Sequence, residues 1–260
     1  MILDRIAERT VLRVKEEKRK KGLCQVRRAA EELGADTGFL FHRALEAPGI
    51  SFICEVKKAS PSRGVIAEEF PYLQIAREYE EAGAAAISVL TEPYYFLGSG
   101  RYLEEIAAEA GIPVLRKDFI LDVYQIYEAR MLGAAAVLLI CALLEGGQLR
   151  EYLAVAHSLG LSALVEVHTE EEAEMALEAG AGIIGVNNRN LKTFEVDIAV
   201  TGRLRRLIPQ ETLFVSESGI RTPEDIAWLK QEGADGVLIG EALMRSADKR
   251  KELAWLAGKS

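Results

Sequence analysis

The chain has 260 residues, 49% apolar and 28% charged, the balance of a protein with a packed core. Its formal net charge of −8 argues against wholesale binding of nucleic acid or an anionic membrane, which needs a basic face. No apolar run approaches the ~20 residues that cross a bilayer, and Met1-Ile2-Leu3-Asp4-Arg5 lacks the apolar stretch of a secretory signal.

The first 30 residues hold ten Lys/Arg against four Asp/Glu, so the rest of the chain carries the acidic excess. Leu3, Ile6, Val11 and Val14 recur at helical spacing, and Glu16 and Glu17 precede Lys20 and Lys21 by four. The expectation is a solvated basic helix packed on an acidic body, with anion binding as the alternative. Residues 1–48 are expected to be an N-terminal helical extension of one domain covering 1–260.

Beyond residue 50 the chain repeats one pattern: a short apolar run, a loop, a helical stretch rich in Ala, Glu and Leu, then a Gly. The apolar runs are Ser51–Val56, Ala85–Leu90, Pro113–Leu115, Ala135–Ile140, Ser162–Val167, Gly182–Val186, Leu213–Val215 and Asp235–Ile239. Helices are predicted at Tyr72–Glu81, Tyr102–Ala110, Val123–Leu132, Gln148–Leu159, Glu170–Ala179, Val200–Leu207 and Pro223–Gln231. Five of them end at Gly83, Gly133, Gly160, Gly180 and Gly233, the residue suited to a left-handed C-terminal cap. Thr222-Pro223-Glu224-Asp225 is an N-terminal signal of the same quality. Apolar strands alternating with helices give a parallel sheet buried on both faces. Eight such units predict a closed (β/α)8 barrel. An open doubly wound sheet is disfavoured, because no G-x-G-x-x-G turn follows the first strand.

Barrel strands fill the interior with apolar side chains, so polar residues near their C-terminal ends call for a reason. By period two, Ile53, Glu55 and Lys57 share a face, as do Leu115, Lys117 and Phe119. The same parity joins Leu164, Glu166 and His168, then Gly185, Asn187 and Arg189, then Val215, Glu217 and Gly219. If these faces point inward, Glu55, Lys57, Lys117, Glu166, Arg189 and Glu217 converge on one pocket and tune one another. Ser216-Glu217-Ser218-Gly219-Ile220 and Ile239-Gly240-Glu241-Ala242 place small residues and free backbone N–H groups where such barrels hold phosphate. His168, like His42 and His157, reads as an ordinary loop histidine, and no metal site is expected. Cys24, Cys54 and Cys141 read as small core residues in a reducing cytoplasm, with none at a strand top.

Several segments resemble the indole-3-glycerol phosphate synthases: Glu55-Val56-Lys57-Lys58-Ala59-Ser60-Pro61-Ser62, Leu115-Arg116-Lys117-Asp118-Phe119, Val165-Glu166-Val167, Gly185-Val186-Asn187-Asn188-Arg189-Asn190-Leu191 and Ser216-Glu217-Ser218-Gly219-Ile220. The resemblance covers nearly the whole chain, and Glu241 stands where some members have Ser. It implies closure of a pyrrole ring on 1-(2-carboxyphenylamino)-1-deoxyribulose 5-phosphate, with loss of CO2 and then water, and no cofactor. By that resemblance Lys117 is the general acid, Glu166 its acid–base partner, and Glu55 with Lys57 a charged pair beside the ring-closing centre. Asn187, Arg189, Phe119 and Leu191 would position the anthranilate part. Ser60, Glu217, Ser218, Gly219, Gly240 and Glu241 would hold phosphate and ribulose oxygens.

The chemistry agrees, since a ketone under attack by an aromatic carbon needs its oxygen protonated. A lysine among other cations is expected to have a lowered pKa suited to that task. The expected partner is a small phosphorylated substrate, acted on by a monomer or weak homodimer. A phosphoribosyl-anthranilate isomerase-like barrel, using Cys and Asp, and a non-catalytic phosphate-binding barrel are the alternatives.

Overall fold

The computed structural model describes residues 2–258. Eight parallel strands follow one another around a closed barrel: β1 (Ser51–Val56), β2 (Ala86–Leu90), β3 (Val114–Lys117), β4 (Ala136–Ile140), β5 (Ser162–Val167), β6 (Ile183–Asn187), β7 (Leu213–Glu217) and β8 (Gly236–Ile239). β8 pairs back onto β1, Ser51 opposite Gly236. The chain opens with α1 (Ile2–Lys20), α2 (Leu23–Glu32) and α3 (Leu40–Leu45). An outer ring follows, made of α4 (Tyr72–Glu81), α5 (Gly100–Glu109), α6 (Val123–Met131), α7 (Gly146–Ser158), α8 (Glu170–Ala179), α9 (Ala199–Arg205) and α10 (Pro223–Gln231). The short α11 (Glu241–Arg245) and α12 (Lys249–Leu256) come last. This is a (β/α)8 barrel.

The strands are apolar on both faces because both faces are buried. Ile53, Leu115, Leu138, Leu164, Val215 and Leu238 fill the interior as one cluster. Cys54, Ile87, Val137, Val165, Ile184 and Val237, one residue out of phase, pack against the helices in another. Helix α3 closes the N-terminal end of the barrel. Its Phe41 and Leu45 join the interior cluster, and Ser51 Oγ donates to Ala44 O at 2.8 Å. Burying two such side chains contributes about 1.5–3 kcal/mol each. With the bottom plugged, the top is where a ligand enters.

The five glycines that end helices all have positive φ, and Thr222 with Asp225 forms a reciprocal capping box on α10. Strand ends, however, run further than the apolar pattern predicts. β3 covers Val114–Lys117 rather than 113–115, and β7 and β6 extend to Glu217 and Asn187. The ladder continues through polar residues because their side chains are received either by the site or by buried partners. Val11 is exposed, whereas Thr10 and Arg13 join Ile6 and Val14 on the buried face of α1. The basic helix is therefore less solvated than expected, with Arg13 inserted into the protein. The plug helix, the last two helices and a two-residue hairpin (Ala59–Ser60 with Gly64–Val65) carry no strong periodic signal in the sequence.

Candidate active site

Inward parity continues past the apolar layer to the C-terminal ends of the strands, where it delivers charge. From β1 come Glu55 and, just beyond its end, Lys57; from β3, Lys117; from β5, Glu166; from β6, Asn187; from β7, Glu217. Register brings them level, with Asn187 opposite Glu217 and Ile140 opposite Glu166. They open on a cavity of about 400 Å³. Ser60, Phe119, Arg189, Leu191, Ser218, Gly219, Gly240 and Glu241 line the same cavity, so every residue singled out from the sequence meets there.

Lys117 is the centre of this arrangement. Its Nζ lies 3.4 Å from Glu166 Oε2 and 3.6 Å from Glu217 Oε2, and Lys57 is ion-paired with Glu55. The three carboxylates are almost fully buried, at 1–4% exposure. Burial alone would lower the Lys117 pKa, but Glu166, Glu217 and Glu55 outweigh it and raise the pKa above the ordinary lysine value. The expected lowering is thus corrected, because the groups around this lysine are carboxylates and not cations.

The carboxylates divide by their neighbours. Burial pushes Glu166 up, but Lys117, His168 and a hydrogen bond from Asn187 bring it below the usual range. Glu55 is likewise lowered: burial opposes ionisation, but Lys57 and Lys117 favour it more strongly. Glu217 goes the other way, to about 7, because burial and the charges of Glu166 and Glu55 prevail over Lys117. Its Oε1 is buried without a hydrogen-bond partner. Gly185 leaves room for that carboxylate, since a Cβ there would run into Glu217 Oε1. Two carboxylates at one lysine, pushed in opposite directions, are suited to acid and base roles.

At the other end of the cavity lie the two small-residue turns. Ser218 and Gly219 both have positive φ, 68° and 83°. Ser218 holds this left-handed conformation with its carbonyl accepting from Asn188 Nδ2 at 3.1 Å. A Cβ on Gly219 would sit 2.5 Å from Val196 Cγ1, and one on Gly240 would meet Glu55 Oε2. Arg63, Arg221 and Arg245 join Arg189 in lining the cavity. The Glu241 carboxylate pairs with Arg63 at 3.0 Å and Arg245 at 3.4 Å. Leu3 and Ile6 of α1 line the apolar wall, and Phe96 stacks near Phe119 with centroids 5.9 Å apart.

Two features escaped the sequence reading. His168 is no ordinary loop histidine: its Nε2 lies 3.4 Å from Glu166 Oε1, and its Nδ1 lies 3.3 Å from Glu172 Oε2. The signal was its place in the Leu164–Glu166–His168 parity. Asp118, one residue from Lys117, anchors the buried Arg13 of α1 at 2.8 and 3.0 Å; no local pattern announces a pair 105 residues apart. Cys141 does sit just past the end of β4, against expectation, but it packs in the outer cluster, and burial pushes its thiol up to about 12. Among the described residues no group of three His, Cys, Asp or Glu is placed to hold a metal ion, and no helix is long and apolar enough to cross a membrane.

Comparison with solved structures shows the fold. The chain is similar to a thiamine phosphate pyrophosphorylase from Pyrococcus furiosus, at 18% identity and a TM-score of 0.60 over 84% of this chain and 96% of that one. It is also similar to an N-acetylmannosamine-6-phosphate 2-epimerase from Clostridium perfringens, at 16% identity and a TM-score of 0.61 over 77% and 90%. Sequence relatives lie much nearer. The indole-3-glycerol phosphate synthase of Ruminiclostridium cellulolyticum is 56% identical over 99% of both chains. That of Endomicrobium trichonymphae is 57% identical over 97% of this chain and 99% of its own. The sequence model of the family described as indole-3-glycerol phosphate synthase matches residues 3–256. On this agreement, across the barrel and its extension alike, the chain belongs to the indole-3-glycerol phosphate synthase family.

Proposed function

We propose that Lys117 and Glu166 share the proton transfers of the reaction this chain catalyses. That reaction, a step of tryptophan biosynthesis, converts 1-(2-carboxyphenylamino)-1-deoxyribulose 5-phosphate to indole-3-glycerol phosphate, so the chain is a carboxy-lyase. The observation that carries the assignment is the Lys117 ammonium held between the buried Glu166 and Glu217 carboxylates inside the cavity. As the ring carbon attacks the ketone, Lys117 protonates the carbonyl oxygen. CO2 departs and its electron pair restores the aromatic ring. Glu166 then takes the proton from the carbon next to the departing hydroxyl, and the hydroxyl leaves as water.

Three carboxylates around a lysine keep it charged but make it a reluctant donor. Glu217 relieves this, because in its protonated form one of the charges that holds the Lys117 proton is gone. Lys57, paired with Glu55 beside the reacting centre, is a second donor for the departing hydroxyl. Phe119 and Leu191 pack the anthranilate ring while Asn187 and Arg189 hold its carboxylate. Ser60, Ser218, Gly219, Gly240 and Glu241 take the phosphate and ribulose oxygens, the glycines through backbone N–H groups that no side chain covers. The surrounding arginines raise the local concentration of an anionic substrate on an otherwise acidic protein. All these groups come from one chain, so the proposed chemistry asks for no residue from a second copy, in keeping with action as a monomer or in a weak homodimer.

A phosphate-binding barrel without catalysis would not need Lys117 and Glu166 side by side, and an isomerase-like Cys acid is ruled against by the outward-packed Cys141. The test is turnover of the carboxyphenylamino substrate by the isolated chain. The wild type should release CO2 and form the indole chromophore, and Lys117→Ala should bind indole-3-glycerol phosphate yet fail to turn over. Product binding with no turnover by the wild type would support the non-catalytic barrel instead.

A further inference from the structure

His168 stands in a wall between two spaces. On one side Glu166 faces the substrate cavity. On the other lies a second cavity of about 420 Å³, lined by His168 and Glu172 but not by Glu166. Asn187, Arg189 and Leu191 border both. The imidazole bridges the wall: Nδ1 is 3.3 Å from Glu172 Oε2, which also accepts the His168 backbone N–H at 2.7 Å, so Glu172 fixes the ring from α8. That leaves Nε2 directed at Glu166 Oε1, 3.4 Å away, buried and without a hydrogen bond. A buried ring nitrogen that makes no hydrogen bond yet is aimed at the proposed acid–base carboxylate requires an explanation.

The stoichiometry of the reaction supplies one. The substrate enters as a carboxylate and that group leaves as neutral CO2. Two protons go to oxygen, one on the ketone and one on the departing hydroxyl, and one proton is removed from carbon. Each turnover therefore takes up one proton from outside, and the recycled proton between Glu166 and Lys117 cannot provide it. Glu55, Glu166 and Glu217 are only 1–4% exposed even with the cavity open, so direct solvent has little access to them.

We propose that His168 relays protons between the second cavity and the Glu166 carboxylate during turnover. In each cycle Nε2–H gives its proton to Glu166, which leaves a neutral ring with its remaining proton on Nδ1 toward Glu172. The ring then turns about its Cβ–Cγ bond, and Nε2 regains a proton from water in the second cavity before turning back. This rests on the assignment of Glu166 above. His168 acts through Glu166 and does not touch the substrate.

The charges around His168 suit the task. Just past the end of β5, it faces Glu166 from that strand, Glu172 from α8 and Glu217 from β7. Burial disfavours the imidazolium, but those carboxylates, Glu172 foremost, raise its pKa above the ordinary value. Arg189, Lys192, Glu195, Asp197 and Arg203 line the far side of the second cavity, mixed in sign. The ring thus stays protonated to a higher pH than a free histidine and still exchanges with solvent.

The test is kinetic. His168→Gln keeps a polar side chain but cannot pass a proton, and it should lower kcat about 10-fold or more with KM within about twofold. Imidazole added to the buffer should restore part of the loss. Glu172→Gln removes the charge that raises the His168 pKa, so the alkaline fall of kcat should move to lower pH; this variant decides the matter if His168→Gln does not fold. An unchanged kcat in His168→Gln, a loss that imidazole does not relieve, or an unmoved alkaline limb in Glu172→Gln would overturn the relay. Glu166→Gln separates the two ideas. If it is inactive while His168→Gln is normal, only the relay fails; if it is fully active, the underlying assignment fails.

Discussion

Two buried charge clusters are centred on neighbouring residues at the end of β3, and they are built differently. Around Asp118, which borders the cavity but turns toward α1, both carboxylate oxygens are fully engaged: Arg13 at 2.8 and 3.0 Å, Thr91 Oγ1 at 2.6 Å, Arg116 at 3.3 Å and the Phe119 backbone N–H at 2.8 Å. Burial disfavours its charge, but Arg13 and Arg116 hold the pKa below the usual range. Around Lys117, inside the barrel, three carboxylates face two ammonium groups and Glu217 Oε1 has no hydrogen bond. Arg13 keeps one unpartnered N–H of its own, yet the carboxylate it serves is saturated. A cluster that only holds structure is completed by the protein; one that awaits a substrate is left incomplete.

If that contrast is right, damage to the two clusters should read out differently. The largest effect belongs to the inner one. Lys117→Ala should lower kcat/KM by ~10²–10⁴-fold, with ring closure as the step lost and little change in Tm. Lys57→Ala should instead slow dehydration and leave ring closure intact. If Lys57→Ala stops ring closure while Lys117→Ala turns over, the two lysines exchange roles.

The outer cluster should fail as structure. Asp118→Asn leaves Arg13 facing a neutral group, while Arg116 keeps Glu128 at 2.7 Å, and breaking a buried pair such as Arg13–Asp118 costs about 3–5 kcal/mol. Thermal unfolding should show this as a fall in Tm of roughly 10 °C. Catalytic loss should follow only as far as Lys117 and Phe119 lose their fixed places. A Tm equal to the wild type would mean that Arg13 reaches other partners.

A smaller, localised effect is expected at the phosphate end. Gly219 has φ of 83° and a Cβ would press on Val196, so Gly219→Val should close the turn to phosphate. We expect KM to rise about 10-fold or more with kcat less affected, since a buried charged hydrogen bond is worth about 1.5–3 kcal/mol, and Tm to fall as well, because a β-branched residue at positive φ is strained. Equal loss in kcat and KM terms for a substrate lacking phosphate would contradict that placement.

The mildest test is pH. Glu217 has its pKa raised from 4.5 to about 7 in the fold, so its protonated form is preferred there. Its contribution to stability is complete below about 4.5 and is lost as pH rises through about 7. Glu217→Gln has no such loss. Its Tm relative to the wild type should therefore be higher at pH 8 than at pH 5, measured by calorimetry in matched buffers. Glu55 and Glu166, lowered in the fold, act in the opposite sense and weaken the protein on acidification in both chains.

How much of this the sequence discloses follows the same division. The barrel is legible because eight apolar runs and five helix-ending glycines repeat locally, and period two then carries the inward face from Ile53 to Lys57 and from Leu164 to His168. That parity places the inner cluster before any contact is known. It cannot say who pairs with whom. The reversal of the expected Lys117 shift came from Glu166 and Glu217, which reach it from other strands. Arg13 and Asp118 are joined only by tertiary packing, and the plug made by Phe41 and Leu45 depends on an open barrel end that no local pattern describes. Glu241 is legible as a turn residue, but its pairing with Arg63 and Arg245 is not.

Single-turnover kinetics of Glu166→Gln decide whether Lys117 and Glu166 divide the chemistry between an early and a late proton transfer. Gln keeps the shape and hydrogen bonding of the carboxylate but cannot exchange a proton. CO2 should be released at close to the wild-type rate while a decarboxylated, still hydroxylated species accumulates ahead of the indole product. Indole formation at the wild-type rate with no such intermediate would contradict the account.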